Sequence, residues 1–212
     1  NYSIMKRFFF ILIIISIVSC SPKLFKEKWT KEQAPEYFKA RFETIQGNFD
    51  IEAKREWSPK GVDRLYQLIK NEFYTDIAIF RVVPNFVAQF GIHNDSIVNK
   101  GWNGIGVEDE EVKLSNVKGT IAFARSTVKT RTTQIFINLK DNKRLDSLDY
   151  SGVKGFPVIA KVTEGMENVL KFHDKYGNKL GMKQDSINKF GNKFLKKNYP
   201  EIDYIIKAYI LK

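Results

Sequence analysis

The stretch Phe80-Arg81-Val82-Val83-Pro84-Asn85-Phe86-Val87-Ala88-Gln89-Phe90-Gly91 constrains this chain more than any other. Pro84 has no amide hydrogen and Asn85 tolerates a left-handed backbone, so no helix runs through the middle. Two short apolar runs turned back on each other remain. Similar runs recur along the sequence. Phe42 to Ile45 and Phe49 to Glu52 alternate around a Gln46-Gly47-Asn48 turn and read as a hairpin. Asp76 to Val83, Phe86 to Phe90, Gly119 to Arg125, Gln134 to Leu139, Phe156 to Val162 and Ile202 to Leu211 are the other strand candidates. Helices are few. Ser58-Pro59 starts one, with Ser58 as the cap, Pro59 in the first turn, and Val62, Leu65, Leu68 and Ile69 on one face. Glu164 to Val169 opens a second, shorter one, and Gly101 to Gly106 around Trp102 reads as a loop without the order or lysine of a phosphate loop. Many short strands with two helices predict a mainly β fold, a closed barrel capped at its ends. At 212 residues and 43% hydrophobic, the chain can fill one core, not two.

The N-terminal residues follow other rules. Met5, Lys6 and Arg7 precede an apolar run from Phe8 to Ile15, and Ser16-Ile17-Val18-Ser19-Cys20 follows. A bilayer core of about 30 Å needs roughly 20 apolar residues, so the run reads as a signal peptide over residues 1–19 and not as a membrane span. Ile17-Val18-Ser19-Cys20 resembles a bacterial lipobox, in which the cysteine is lipidated and becomes the new N-terminus. Cys20 is the chain's only cysteine and stands where that motif requires it. Acyl chains, at about 0.8 kcal/mol per buried CH₂, would anchor the protein to a membrane. By analogy with such lipoproteins, Ser21 in place of aspartate favours the outer membrane, facing the periplasm of a bacterial cell envelope. Asn1 to Ile4 then reads as an upstream extension of the reading frame. Residues 20–36, polar and lysine-rich with Pro22 and Pro35, read as the lipidated N-terminus and a tether, ahead of a domain over 37–212.

Formal net charge is +11, from 35 Lys and Arg against 24 Asp and Glu. The lysines are dispersed and form no stripe interleaved with aromatics, which argues against a nucleic-acid partner. His93 and His173 stand alone among polar residues and read as solvated side chains; no metal-ligand cluster is visible. The lone cysteine is taken by the lipobox, and no Ser/His/Asp set follows from spacing. What remains are polar residues set into apolar runs. Arg81 and Gln89 flank the Pro84-Asn85 turn, and by itself Arg81 fits equally a barrel-rim charge paired with a carboxylate. A second run, Gly119-Thr120-Ile121-Ala122-Phe123-Ala124-Arg125, leads through a polar loop to Gln134-Ile135-Phe136-Ile137-Asn138.

Together the two runs resemble the cyclophilins. The first is similar to that family's Phe-His-Arg-Val-Ile-Pro-Gly-Phe-Met-x-Gln-Gly-Gly segment. The second is similar to its Gly-x-x-x-Met-Ala … Gly-Ser-Gln-Phe-Phe-Ile segment, with Ala124 and Gln134 at the family's separation. Phe42-Glu43-Thr44 with Gly47, Pro59-x-x-Val62 and Lys161-Val162-x-x-Gly165-Met166 extend the likeness over residues 40–170, and the last strand belongs to it as well. Lys171 to Pro200 reads as an insertion before that strand, helical near Phe190 to Lys197. Its Tyr176-Gly177 and its stretch from Gly191-Asn192 to Pro200 resemble the tail of isomerase lipoproteins in the family. The resemblance implies an eight-stranded closed antiparallel β-barrel capped by two helices. It also implies peptidyl-prolyl cis-trans isomerase activity toward proline-containing polypeptides in the cell envelope, without metal or cofactor, in a monomer.

The resemblance also assigns residues. Arg81 matches the catalytic arginine, Phe86 the floor of the proline pocket and Gln89 the glutamine that clamps the substrate backbone. Val87 stands for a pocket methionine. Ala124 and Arg125 match the strand that pairs with the substrate chain, Arg125 replacing an asparagine, and Gln134 and Phe136 match the next strand, with Phe136 and Leu145 as pocket walls. Two positions depart from the pattern: Arg144 falls where many members carry tryptophan, and Phe156, after an insertion around Ser147 to Gly155, where many carry histidine. These departures bear on efficiency and inhibitor sensitivity, and they motivate a second reading, a proline-peptide binding module or chaperone that has lost catalysis.

Overall fold

The computed structural model describes residues 22–212; the signal peptide and Cys20 lie outside the described residues. The opening hairpin is β1 (Tyr37–Thr44) and β2 (Phe49–Lys54), followed by α1 (Pro59–Lys70). The run around Pro84 supplies β3 (Ile77–Ala78), β4 (Arg81–Val83) and β5 (Val87–Phe90), and α2 (Ser96–Asn103) leads to β6 (Thr120–Phe123) and β7 (Ile135–Asn138). A small hairpin, β8 (Asp149–Tyr150) and β9 (Val153–Lys154), precedes β10 (Val158–Glu164) and α3 (Met166–Val169). The insertion folds as α4 (Gly177–Gly181) and α5 (Gln184–Asn198), before the last strand, β11 (Tyr204–Ile210).

Apart from β8 and β9, the strands form one antiparallel sheet in the order β3-β11-β1-β2-β10-β6-β7-β5-β4. Its two edges, β3 and β4, are consecutive in the chain and separated only by Ile79 and Phe80. The sheet therefore curls until its ends are joined through the backbone, and β3 with β4 acts as one bent strand of the expected barrel. The β1–β2 turn needs Gly47, whose φ is 111° and whose added Cβ would sit 2.7 Å from the Asn168 side chain. Phe42, Phe49, Tyr74 and Phe90 are all buried, with the Phe42 and Phe49 rings stacked at 4.9 Å. The Tyr74 hydroxyl donates to the Thr133 carbonyl at 2.9 Å, which satisfies the one polar group this cluster buries.

Helix α1 buries the face its periodicity predicts, Val62, Leu65, Leu68 and Ile69. Its cap differs from expectation. Ser58 makes no side-chain cap bond; it donates instead to Glu110, whose carboxylate accepts from the backbone amides of Lys60 at 2.8 Å and Gly61 at 3.0 Å. A carboxylate from a distant loop thus meets the orphan amides and the positive end of the helix dipole. The same carboxylate accepts from Arg131, 1% exposed, at 3.0 Å.

Three further expectations are corrected. The first half of the supposed Gly101–Gly106 loop is the end of α2, whose start is capped by Asp95 accepting from the Ile97 and Val98 amides at 2.7 and 3.3 Å. Helix α2 adds to the two capping helices expected, and α5 covers the helical stretch read within the insertion near Phe190 to Lys197. His93 is not solvated: it is 6% exposed, its Nδ1 accepts from the Asp95 amide at 2.9 Å, and burial lowers its pKa. The segment read as a tether is laid onto the domain from Phe25 onward. Phe25 and Trp29 pack on Trp102 with ring centroids at 5.0 and 6.1 Å, and Gln67 donates to the Glu32 carbonyl at 2.6 Å. Two aromatic residues among lysines were enough to bind a stretch whose polarity concealed them.

Candidate active site

Around Pro84-Asn85 the chain turns with Asn85 at φ 56°, and the resulting register sets Arg81 opposite Gln89, Val82 opposite Ala88 and Val83 opposite Val87. Facing residues of an antiparallel pair project to the same side. Arg81 Nη1 accordingly donates to Gln89 Oε1 at 3.0 Å. Strand β7 lies on the other side of β5, with Gln89 opposite Phe136, and Phe136 in turn faces Ala122 of β6. The loop carrying Leu145 and the segment after β9 complete a hollow of about 260 Å³. Its lining includes Phe86, Val87, Phe136, Leu145, Leu148 and Phe156, with Arg81 and Gln89 on the polar side. Val87, Ala122, Phe136 and Leu145 form an apolar cluster separate from the main core, with Phe86, Ala124, Leu148 and Phe156 packed against it.

Arg81 is half-buried, and desolvation lowers its pKa. Among the described residues no carboxylate pairs with it: its Nε donates to Asn178 Oδ1 at 2.8 Å, so both acceptors are neutral amide oxygens. The reading of Arg81 as a rim charge paired with an acid is thereby excluded for the described residues. Its guanidinium carbon lies 5.6 Å from the centre of the Phe86 ring, and that of Arg144 lies 5.2 Å from the same ring. Arg144 thus covers Phe86 where the resemblance leads one to expect an indole.

Phe156, which follows the insertion around Ser147 to Gly155, stands in the wall and meets Phe136 edge-on at 5.8 Å. Arg125 also lines the hollow and supports it from within the protein. Its backbone follows Ala124, whose amide donates to the Gln134 carbonyl at 2.9 Å, as the assigned strand position demands. Its side chain, 8% exposed, borders the hollow while its Nη donors are engaged within the protein. It donates to the carbonyls of Tyr150 and Val153 at 2.7 Å and Gly155 at 2.8 Å, and lies 4.4 Å over the Phe156 ring. The guanidinium that replaces asparagine pins the β8–β9 hairpin, and with it Tyr150 at the mouth of the hollow.

Sequence reasoning missed the supports beneath the site. The Phe86 carbonyl accepts from both the Leu139 amide and Asn142 Nδ2 at 2.9 Å, and buried Asn142 also donates to Asn138 at 2.8 Å. Asn138 donates to Asn116, which is held by Asp146, the residue after Leu145. Burial pushes the Asp146 carboxyl up, but the Ser115 hydroxyl and the Asn116 donors outweigh it and leave the pKa lowered. Asn138 ends the apolar run Ile135-Phe136-Ile137, while Asn116 and Asn142 stand in polar stretches, and nothing in one sequence says that the three meet.

The family model described as cyclophilin type peptidyl-prolyl cis-trans isomerase/CLD matches residues 39–192. A peptidyl-prolyl cis-trans isomerase of Acinetobacter baylyi is 32% identical over 143 residues, 67% of this chain and 75% of that protein. Isomerase B of Escherichia coli is 30% identical over 149 residues, 68% of this chain and 89% of that protein. Among solved structures, a cyclophilin type isomerase of Cryptosporidium parvum superposes with a TM-score of 0.55 at 17% identity, covering 83% of this chain and 98% of its own, which speaks to the fold alone. Since the family match runs through both strand pairs that build the hollow, this chain belongs to the cyclophilin-type peptidyl-prolyl cis-trans isomerases.

Proposed function

We propose that the hollow grips a proline ring and that Arg81 catalyses rotation about the preceding peptide bond. The observation that carries this reading is a half-buried guanidinium, free of any carboxylate partner among the described residues, held by Gln89 beside an apolar cavity. An X-Pro bond turns over a barrier of about 18 to 20 kcal/mol because twisting removes amide resonance. No bond breaks. At the twisted geometry the prolyl nitrogen becomes pyramidal and exposes a lone pair, so a fixed N–H donor stabilises that state more than either planar one. Arginine is suited to the role: always charged, planar and unable to accept. Phe86, Phe136 and Leu145 hold the ring while the preceding carbonyl swings, and their low polarity strengthens the donated hydrogen bond. Gln89 fixes the substrate backbone. The similar Cryptosporidium structure was also obtained in the presence of the dipeptide Ala-Pro, the ligand class this hollow would take.

The proposed setting is the bacterial envelope, with a monomer anchored through Cys20 to the outer membrane and facing the periplasm, where exported chains meet slow proline steps. The lipobox sequence supports it. The alternative of a binding module without turnover is favoured by Arg144, whose charge over Phe86 would retain peptide without aiding rotation. Prolyl isomerisation of a proline-containing peptide decides between them. Wild-type acceleration that falls at least about a hundredfold in Arg81→Ala establishes catalysis; binding without acceleration selects the module.

A further inference from the structure

We infer that the 171–200 insertion is part of the catalytic apparatus, with Asn178 of α4 and Gln184 of α5 acting as positioning residues that hold Arg81 from the two ends of one amide chain. The inference rests on Arg81 as the donor to the prolyl nitrogen. Asn178 is 97 residues from Arg81 in sequence, yet its Oδ1 accepts from Arg81 Nε at 2.8 Å. On the other side, Arg81 Nη1 donates to Gln89 Oε1 at 3.0 Å. Two bonds to a planar fork fix its plane. Nη2 has no protein acceptor among the described residues, and its N–H groups, with the second on Nη1, are the donors left for a ligand.

The second arm is set by the first. An arginine can only donate, so Gln89 must present its oxygen to Arg81 and its NH₂ elsewhere. That NH₂ donates to Gln134 Oε1 at 2.9 Å, and the Gln134 NH₂ donates to Gln184 Oε1 at 2.8 Å. Every amide in the row therefore has one orientation, and the row ends on the first residue of α5. Packing ties the insertion to the same place. Leu180, Ile187 and Leu195 are buried in a cluster with Phe80, the residue before Arg81. A Cβ added at Gly181 would lie 2.9 Å from Arg81 Cδ, so α4 rests on the arginine stem through a residue with no side chain. A displacement of α4 cannot leave Arg81 where it is.

The test uses the full chain and a tetrapeptide containing Ala-Pro, with three measurements: exchange spectroscopy at saturating peptide, peptide affinity, and the Arg81 Nε–H resonance. Asn178→Leu keeps the side chain's size and removes the acceptor. It is expected to lower the isomerisation rate on the enzyme about tenfold, with peptide affinity and melting temperature close to wild type and Arg81 Nε–H exchanging faster with water. Asn178→Gln, which restores a neutral amide acceptor on Arg81, recovers rate and resonance in part. Gln184→Leu, acting through two intervening amides, lowers the rate less. Wild-type rate and an unchanged resonance in Asn178→Leu would overturn the inference, as would a rate loss that tracks affinity and melting temperature and is not relieved by Asn178→Gln. A wild-type chain that accelerates nothing overturns the proposed function instead, and the resonance then still reports whether Asn178 holds Arg81.

Discussion

At the scale of single residues, three arginines near the site have different roles because they meet different acceptors. Arg81 faces only amide oxygens and keeps a donor for a ligand, Arg144 lies over the Phe86 ring, and Arg125 is consumed by three backbone carbonyls. Arg125→Ala should therefore act through the β8–β9 hairpin and not through lost ligand contact. Removing a buried charged donor that serves several carbonyls costs about 1 to 3 kcal/mol, so the variant should melt earlier, with the fastest-exchanging amides at residues 149–155. If hairpin amides exchange as in wild type while peptide affinity collapses, Arg125 contacts ligand directly and this account is wrong. Arg81 and Gln89 stood out as polar residues in apolar runs, and it was the resemblance to the cyclophilins that assigned them, with Phe86, Gln134 and Phe136, to a site. The direction of the Arg125 side chain was not legible, since it depends on a hairpin that begins more than twenty residues later.

At the scale of elements, strands were easier to read than caps. Alternation and β-branched residues located the main strands, because in a curled sheet the pattern is imposed locally by the pleat. The α1 cap escaped detection because Glu110 reaches it from 52 residues away, and a plausible local candidate, Ser58, points at that carboxylate instead. The arrangement makes a pH prediction. Burial raises the Glu110 pKa, but the Ser58 hydroxyl, the Lys60 amide and Arg131 outweigh it, so the folded value lies below the ordinary 4.5. A carboxyl with a depressed folded pKa contributes stability that is complete above its unfolded value and is lost as pH falls through the folded one. Glu110→Gln should thus cost about 1 to 3 kcal/mol at neutral pH, where it weakens the cap and leaves Arg131 buried without its counter-charge. Below pH 4 the gap between variant and wild type should narrow. Thermal melts at pH 7 and pH 3.5 check this; a gap that is equal at both would mean that the Glu110 charge is irrelevant to the cap.

At the scale of the whole molecule, the strap from Phe25 to Ala34 changes what the proposed anchor implies. A free tether over residues 20–36 would let the domain roam, whereas a strap bound from Phe25 leaves only residues 20–24 between anchor and domain, roughly 18 Å when fully extended. The strap is held by Phe25 and Trp29 against Trp102, by Gln67 donating to the Thr30 and Glu32 carbonyls, and by the Ala34 amide on Asp63 at 2.9 Å. Its Glu32 also pairs with Lys70 at the surface, and besides buried Ala34 the aromatic pair supplies its apolar attachment. Phe25 also lies against Gly101 of α2, where an added Cβ would meet it at 2.5 Å, so its ring fills a groove cut to fit. The double variant Phe25→Ala/Trp29→Ala should free the strap and leave the barrel folded. Trypsin is then expected to cut at Lys26, Lys28 and Lys31 at least about tenfold faster than in wild type, because opening of a local segment is governed by its own contacts. Isomerase activity should be unchanged, since the strap touches no residue of the hollow. Equal cleavage rates would mean that the strap opens freely in the wild-type protein, and the anchor would then hold the domain on the longer leash.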